Sequence, residues 1–153
     1  MVEVEVLGVS DGPSHPVVLL RNEDRVLPIV VGIPEAHAIQ MGVLDQKFGR
    51  PMTHDLLCNL LAGLRGQLSS VTIYKLENDT FFAHLNVEQK SSDGDVEQIL
   101  RIDSRPSDGI AVAVREKCPI YVADEVMDTA AQDVSILGGD FSQPDDDFDE
   151  DTD

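Results

Sequence analysis

Tryptophan is absent from this 153-residue chain, and two tyrosines with five phenylalanines bring the aromatic share to only 5%. Proteins that hold single strands by stacking lay successive bases on aromatic side chains. The candidate stackers here, Tyr74 and Phe82, fall on a single hairpin, so no extended platform is expected. Cysteine is scarce too. Cys58 and Cys118 lie far apart in no CxxC pattern, which argues against a disulfide framework and reads as two small buried thiols in a reducing, cytoplasmic setting. The longest apolar stretches are too short to span a membrane. The first residues, Val2, Glu3, Val4, Glu5 and Val6, alternate as a strand does and lack the basic flank and apolar run of a signal peptide. Walker and dinucleotide fingerprints are missing, and the spacing from His54 to His84 matches no compact zinc motif, so structural zinc is not expected.

Positive charge is the next deficit: 11 Lys and Arg stand against 29 Asp and Glu, for a net charge of −18. From Asp140 to the end there are seven Asp, one Glu and no Lys or Arg, a charge of −8 that leaves −10 on the rest. Such a body repels a polyanion at long range, which disfavours sequence-independent duplex binding. Residues 138–153 have almost no apolar content and read as an acidic, disordered tail. Residues 1–137 are enough for one compact domain; a chain of this size buries about 70% of its unfolded surface.

The hydrophobic pattern predicts an α+β fold with a mixed, mainly antiparallel sheet and about four helices. Strands are expected at Met1–Val9, Val17–Arg21 and Val26–Val31, the last pushed to an edge or bulge by Pro28. A helix from Pro34 follows, then a second whose stripe of Leu56, Leu57, Leu60, Leu61 and Leu64 is ended by Gly66. A hairpin turns at Asn78-Asp79, and the next strand offers Leu100 and Ile102 to the core. The helix Pro106–Lys117 is apolar over most of its surface and should be buried. It leads to a short strand, Pro119–Val122, plausibly parallel to a neighbour, and a last helix, Asp124–Gln132.

What the chain does have is a repeated helix opening. GRPMTHDLL (Gly49–Leu57) and SRPSDGIAV (Ser104–Val112) each run Arg-Pro, a hydroxyl residue, then Asp. Proline presets a first turn, Thr or Ser can cap it, and Asp suits the positive end of the helix dipole. That accounts for the helices but not for the arginines or for His54. Arg50 and Arg105 fit two readings, ion pairs with Asp55, Asp103 or Asp108, or a grip on phosphate. Thr53, Ser107 and Asp108 are caps or ligands; His54 is a satisfied histidine, or a general base or metal ligand. Glu35 is a first-turn acid or a further metal carboxylate. His37 and His84 read as surface residues and His15 as part of a turn.

LPIVVGIPEAHAI, GRPMTHDLL, DTFFAHL and DSRPSDGIAVAVREKCPIYV occur in that order, and from about Val2 to Ala131 the chain resembles the bifunctional nuclease domain family. The resemblance implies a compact α+β fold, bacterial or plant origin, self-association and a nuclease activity, which plant members exert on both RNA and DNA. Gly109 departs from the pattern, standing where the family usually has Ala. In a helix interior that costs up to about 1 kcal/mol unless close packing offsets it.

With that label, the economical mechanism is phosphodiester hydrolysis assisted by Mg²⁺ or Mn²⁺. Glu35, Asp55, Asp103 and Asp108 would hold the ion; Arg50 and Arg105 would balance transition-state charge; His54 would move the proton; Thr53 and Ser107 would contact substrate. The substrate would be single-stranded or short, given the net charge. All of this requires the helix starts to converge on one side of the sheet. The alternative from another class is a non-catalytic regulatory or adaptor domain that binds a small phosphorylated ligand or a protein in the same polar pocket. A homodimer is expected, because Val26–Val31 and Pro119–Val122 look like sheet edges in need of cover.

Overall fold

The computed structural model describes residues 1–135, so the proposed domain end and the acidic tail lie outside the described residues. Two antiparallel meanders make one eight-stranded sheet. The first comprises β1 (Val2–Asp11), β2 (Pro16–Asn22) and β3 (Arg25–Val30); the second comprises β4 (Gly66–Glu77), β5 (Thr80–Lys90) and β6 (Val96–Ser104). Between the meanders come α1 (Ile33–Val43) and α2 (Thr53–Gly63), and after them α3 (Pro106–Glu116), β7 (Ile120–Val122), α4 (Asp124–Ala130) and the two-residue β8 (Gln132–Asp133). The strand order is β6-β5-β4-β7-β1-β2-β3-β8. As the helical crossover predicts, β7 runs parallel to β4, with Val71 opposite Ile120, and it pairs antiparallel with β1 on its other side. The result is an α+β fold with a mixed, mostly antiparallel sheet.

The core explains the helix layer. Residues Ile110, Ala111, Val112 and Ala113 of α3 are all buried, because α3 lies between α1 and α2 while covering β4 and β5. Each fully buried Val or Ile contributes about 1.5–3 kcal/mol. Gly109 makes that approach close: an added Cβ would sit 2.9 Å from Val71 Cγ1. Close packing is thus what offsets its poor helix propensity. Packing of α4 against both β3 and β4, strands four places apart, shows that the sheet curls and brings the end of β3 towards the β4–β5 turn.

Four expectations are corrected. Pro119–Val122 is no edge, since β7 is paired on both sides; β3 keeps an open side only beyond Val26, where β8 stops, and Pro28 falls in that open stretch. Helix α2 does not bury its whole stripe: Leu61 and Cys58 pack on the core, while Leu56, Leu60 and Leu64 are each more than half exposed and Leu57 is 37% exposed. It ends at Gly63, and the left-handed residue that turns the chain is Arg65, not Gly66. On β6, Leu100 is half-buried but Ile102 is exposed, because β6 is the edge strand of the sheet, paired on one side alone among the described residues. No helix among the described residues is long and apolar enough to cross a membrane.

Candidate active site

The first turns of α1, α2 and α3 converge on a cavity of about 270 Å³ lined by Pro34 and Glu35, by Met52, Thr53 and His54, and by Arg105, Asp108 and Arg115. Each helix carries its acid at the third helical position: Glu35, Asp55 and Asp108. None of the three N-cap residues, Gly32, Met52 and Arg105, caps its helix through a side chain. Thr53 and Ser107 are therefore not the caps that the sequence suggested. In α2 the reverse contact serves, with the Met52 backbone N–H donating to Asp55 Oδ2 at 3.0 Å.

His54 and Asp108 meet across the α2–α3 junction. Nε2 of His54 lies 2.9 Å from Asp108 Oδ1, and Arg105 Nε donates to Asp108 Oδ2 at 2.9 Å. Arg105 Nη2 also reaches Glu35 Oε1 at 3.2 Å, so one guanidinium joins α1 to α3. Burial works to raise the Asp108 pKa, but hydrogen bonds from Arg105 and His54 outweigh it and hold the carboxyl below its ordinary range. An ionised carboxylate can only accept, so the proton of this pair sits on His54 Nε2. The His54 residue is 9% exposed, yet no fully buried side-chain N or O among the described residues lacks a partner. Its second nitrogen, Nδ1, therefore faces accessible space. The bond to Asp108 raises the Arg105 pKa further, and the Arg105 side chain is 65% exposed, leaving a permanent positive charge at the rim.

Arg115 was not singled out from the sequence. Its side chain is 11% exposed, and Nε donates to Asp55 Oδ1 at 2.8 Å while Nη1 donates to the carbonyls of Ala38 (2.9 Å) and Ala111 (2.8 Å). One residue thus ties together all three helices around the cavity. Gly42 makes room for it, since a Cβ there would lie 2.8 Å from Arg115 Nη1. The hydrogen bond from Arg115, then that from Met52, lowers the Asp55 pKa. A signal was available: an arginine near the end of an otherwise apolar, buried helix must find a carboxylate or carbonyls.

Not every expected residue is gathered. Arg50 is exposed and makes no ion pair among the described residues; Asp55 has gone to Arg115 instead. Asp103 stands on β6 opposite His84 of β5 and does not line the cavity. His37 and His15 are exposed, whereas His84 is half-buried against Tyr74, with ring centroids 4.8 Å apart. Among the described residues no three His, Cys, Asp or Glu side chains form a group able to hold a metal ion. Both oxygens of Asp108 and both of Asp55 are already committed to protein donors. The four expected carboxylates, as arranged, do not fit a resident Mg²⁺ or Mn²⁺.

Fold and site together define an α+β domain whose polar centre is a histidine oriented by a carboxylate, beside an exposed arginine, at three converging helix starts. Residues 17–135 match the family model described as the bifunctional nuclease domain, and the chain belongs to that family. An uncharacterized protein of Mycobacterium tuberculosis is 39% identical over 131 residues, covering 83% of this chain and 74% of its own length. Bifunctional nuclease 1 of Arabidopsis thaliana is 28% identical over 117 residues, and its namesake of Oryza sativa subsp. indica 25% over 120. This chain spans 35% of the length of each of those plant proteins.

Proposed function

We propose that this chain is a nuclease that hydrolyses phosphodiester bonds of short or single-stranded RNA or DNA at the His54–Asp108–Arg105 cluster. The carrying observation is the 2.9 Å His54–Asp108 bond in a histidine that lines the cavity, which engages Nε2 and leaves Nδ1 as the nitrogen available to act as base. Water gives its proton to Nδ1 and attacks phosphorus; the P–O bond to the leaving oxygen breaks; the imidazolium returns the proton to that oxygen. Arg105 holds the phosphate and offsets developing negative charge, and the three helix N-termini add their dipoles. Thr53 lines the same cavity and can donate to a phosphate oxygen. Arg50 meets the strand outside the cavity. Mg²⁺ or Mn²⁺, which the four carboxylates as arranged do not hold, would have to be supplied with the phosphate and would there offset its charge.

The test is cleavage of a short single-stranded oligonucleotide by wild type, His54→Ala and Asp108→Ala, each in Mn²⁺ and in chelator. Loss in both variants with folding intact supports the cluster. Undiminished cleavage in chelator removes the ion from the mechanism, and undiminished cleavage in both variants removes the cluster. A second reading is favoured by the small cavity and the charge of −18: a regulatory or adaptor domain that binds a small phosphorylated ligand without cleaving it. Binding without turnover in the same assay would select it.

The chain is further proposed to form a homodimer through α2, whose segment Leu56–Leu64 carries no charged side chain in a strongly acidic protein. Four exposed leucines in one stripe exceed the scattered apolar residues ordinary on a surface. Burial pushes the Cys58 thiol up to about 12 and the Cys118 thiol up to about 11, so neither competes as a nucleophile. Both cysteines are free, which supports the proposed cytoplasmic location.

A further inference from the structure

Among the described residues three polar residues are buried: His54, Thr72 and Ser107, at 9%, 8% and 7% exposure. Two have partners, His54 with Asp108 and Thr72 with Asn86, whose Nδ2 donates to Thr72 Oγ1 at 3.0 Å. Ser107 Oγ makes no hydrogen bond among the described residues. Since no fully buried side-chain oxygen there lacks a partner, Oγ opens onto free space. That space is a second cavity, of about 450 Å³, where the curled sheet brings the end of β3 against the β4–β5 turn. Val30, Phe81 and Pro106 supply apolar and aromatic walls, and Thr80 stands with Ser107 as a second hydroxyl.

Arg105 lines both cavities. A phosphate held by its exposed guanidinium therefore has His54 on one side and the Ser107 cavity on the other. Arg105 is the only Lys or Arg lining the second cavity, beside an exposed His15, and the carboxylate of Asp79 lines it too, so a second phosphate is disfavoured there. An aromatic wall, aliphatic neighbours and an unpartnered hydroxyl instead match a flat, neutral heterocycle with hydrogen-bonding edges. We infer that the Ser107 cavity is a nucleobase subsite, which holds the base of the nucleotide whose phosphate rests on Arg105. The inference rests on the proposal that Arg105 is a phosphate contact. It adds a source of substrate selection that a phosphate-binding pocket alone would lack.

Calorimetric titration of the full chain with inorganic phosphate and with adenosine 5′- and 3′-monophosphate tests this. At least one monophosphate should bind about tenfold more tightly than inorganic phosphate, the range of a single stacked base. Ser107→Ala and Phe81→Ala should bring that ratio close to one. Phe81 packs partly on the core, so Val30→Asp, at a position 64% exposed, serves as the variant least able to disturb folding, and it too should abolish the preference. Equal affinities for phosphate and both monophosphates, weakened alike in Arg105→Gln, would reject the base subsite and keep the phosphate contact. Affinities indifferent to Arg105 would reject both.

Discussion

The two Arg-Pro segments share an Arg-Pro pair followed by a hydroxyl residue and an aspartate, and they are unlike in structure. Arg105 is bonded to Asp108 and Glu35, and its helix is buried on almost every side. Arg50 is exposed without an ion pair among the described residues, and the aspartate of its own segment, Asp55, is held by Arg115 from 60 residues away. Asp108 lines the cavity with His54, whereas Asp55 does not and bonds to Arg115 instead. Even the helix starts differ, since Pro106 is the first residue of α3 while Pro51 lies outside α2, before its N-cap Met52; tertiary packing decides which segment becomes polar machinery and which becomes a brace. Division of labour between two similar carboxylates is a physical claim that substitutions can break.

The largest effect should come from the pair at the front. His54→Ala and Asp108→Ala should each lower cleavage by about 100-fold, within the usual worth of a positioned proton carrier, with circular dichroism unchanged. Arg115→Met should act on the brace instead. It strands Asp55 and frees two backbone carbonyls, for a loss of about 2 kcal/mol in urea unfolding; full burial would give more, but the Asp55 side chain is a third exposed. If Arg115→Met left stability intact while Asp108→Ala collapsed the fold, the assignment of brace and machinery would be reversed.

Acid should sharpen the same contrast. Both Asp55 and Asp108 are held below their ordinary pKa, so the folded chain binds fewer protons than the unfolded one. Their stabilisation is complete above the ordinary carboxyl range and is lost as pH falls below about 4 and through the lowered values. Chemical denaturation followed from pH 7 to pH 3 should show a shallower decline in Arg115→Met, where the Asp55 share has gone. The same slope in both proteins would deny Asp55 its brace.

Smaller effects belong to the surface. Leu60→Glu should halve the mass seen by light scattering, and a wild-type monomer at micromolar concentrations would dismiss the α2 interface. Arg50→Ala should change stability by less than about 0.5 kcal/mol, against the measurable loss for Arg115. Removal of residues 140–153, which carry −8, should raise oligonucleotide affinity severalfold at low salt, with the gain shrinking as salt screens the tether. Equal affinity of the two forms would leave that segment a solubilising role.

Much of the fold was legible because local rules decide it. Pro34 and Pro106 mark helix starts, Asn78 and Asp79 both take left-handed backbone in the tight turn, and a helical crossover made β7 parallel to β4. Convergence of the helix starts was only a condition, since no periodicity states which ends of a sheet lie together. The exposed leucines of α2 show the same limit: apolar spacing says that a stripe exists, not what covers it. Arg115 escaped notice because its partners are a carboxylate 60 residues back and carbonyls, which leave no side-chain trace in sequence. Asp103 was misplaced because proximity to Arg105 along the chain says little at a strand end, where alternate side chains point to opposite faces.

Among the described residues, the three-residue β7 is the strand that joins the two meanders into one sheet, and it comes late in the chain: Val2 pairs with Val122 and Val71 with Ile120. During synthesis the first meander can close as soon as β3 emerges, yet its β1 edge must wait for some ninety further residues before it is covered. Until β7 is made, the β1 and β4 edges that it pairs with in the folded sheet are both uncovered. Direct β1–β4 pairing, or pairing between neighbouring nascent chains, competes at that stage. Assembly speed should accordingly be set by insertion of this last strand, and weakening Ile120 or Val122 should slow refolding and promote aggregation more than equal damage within either hairpin.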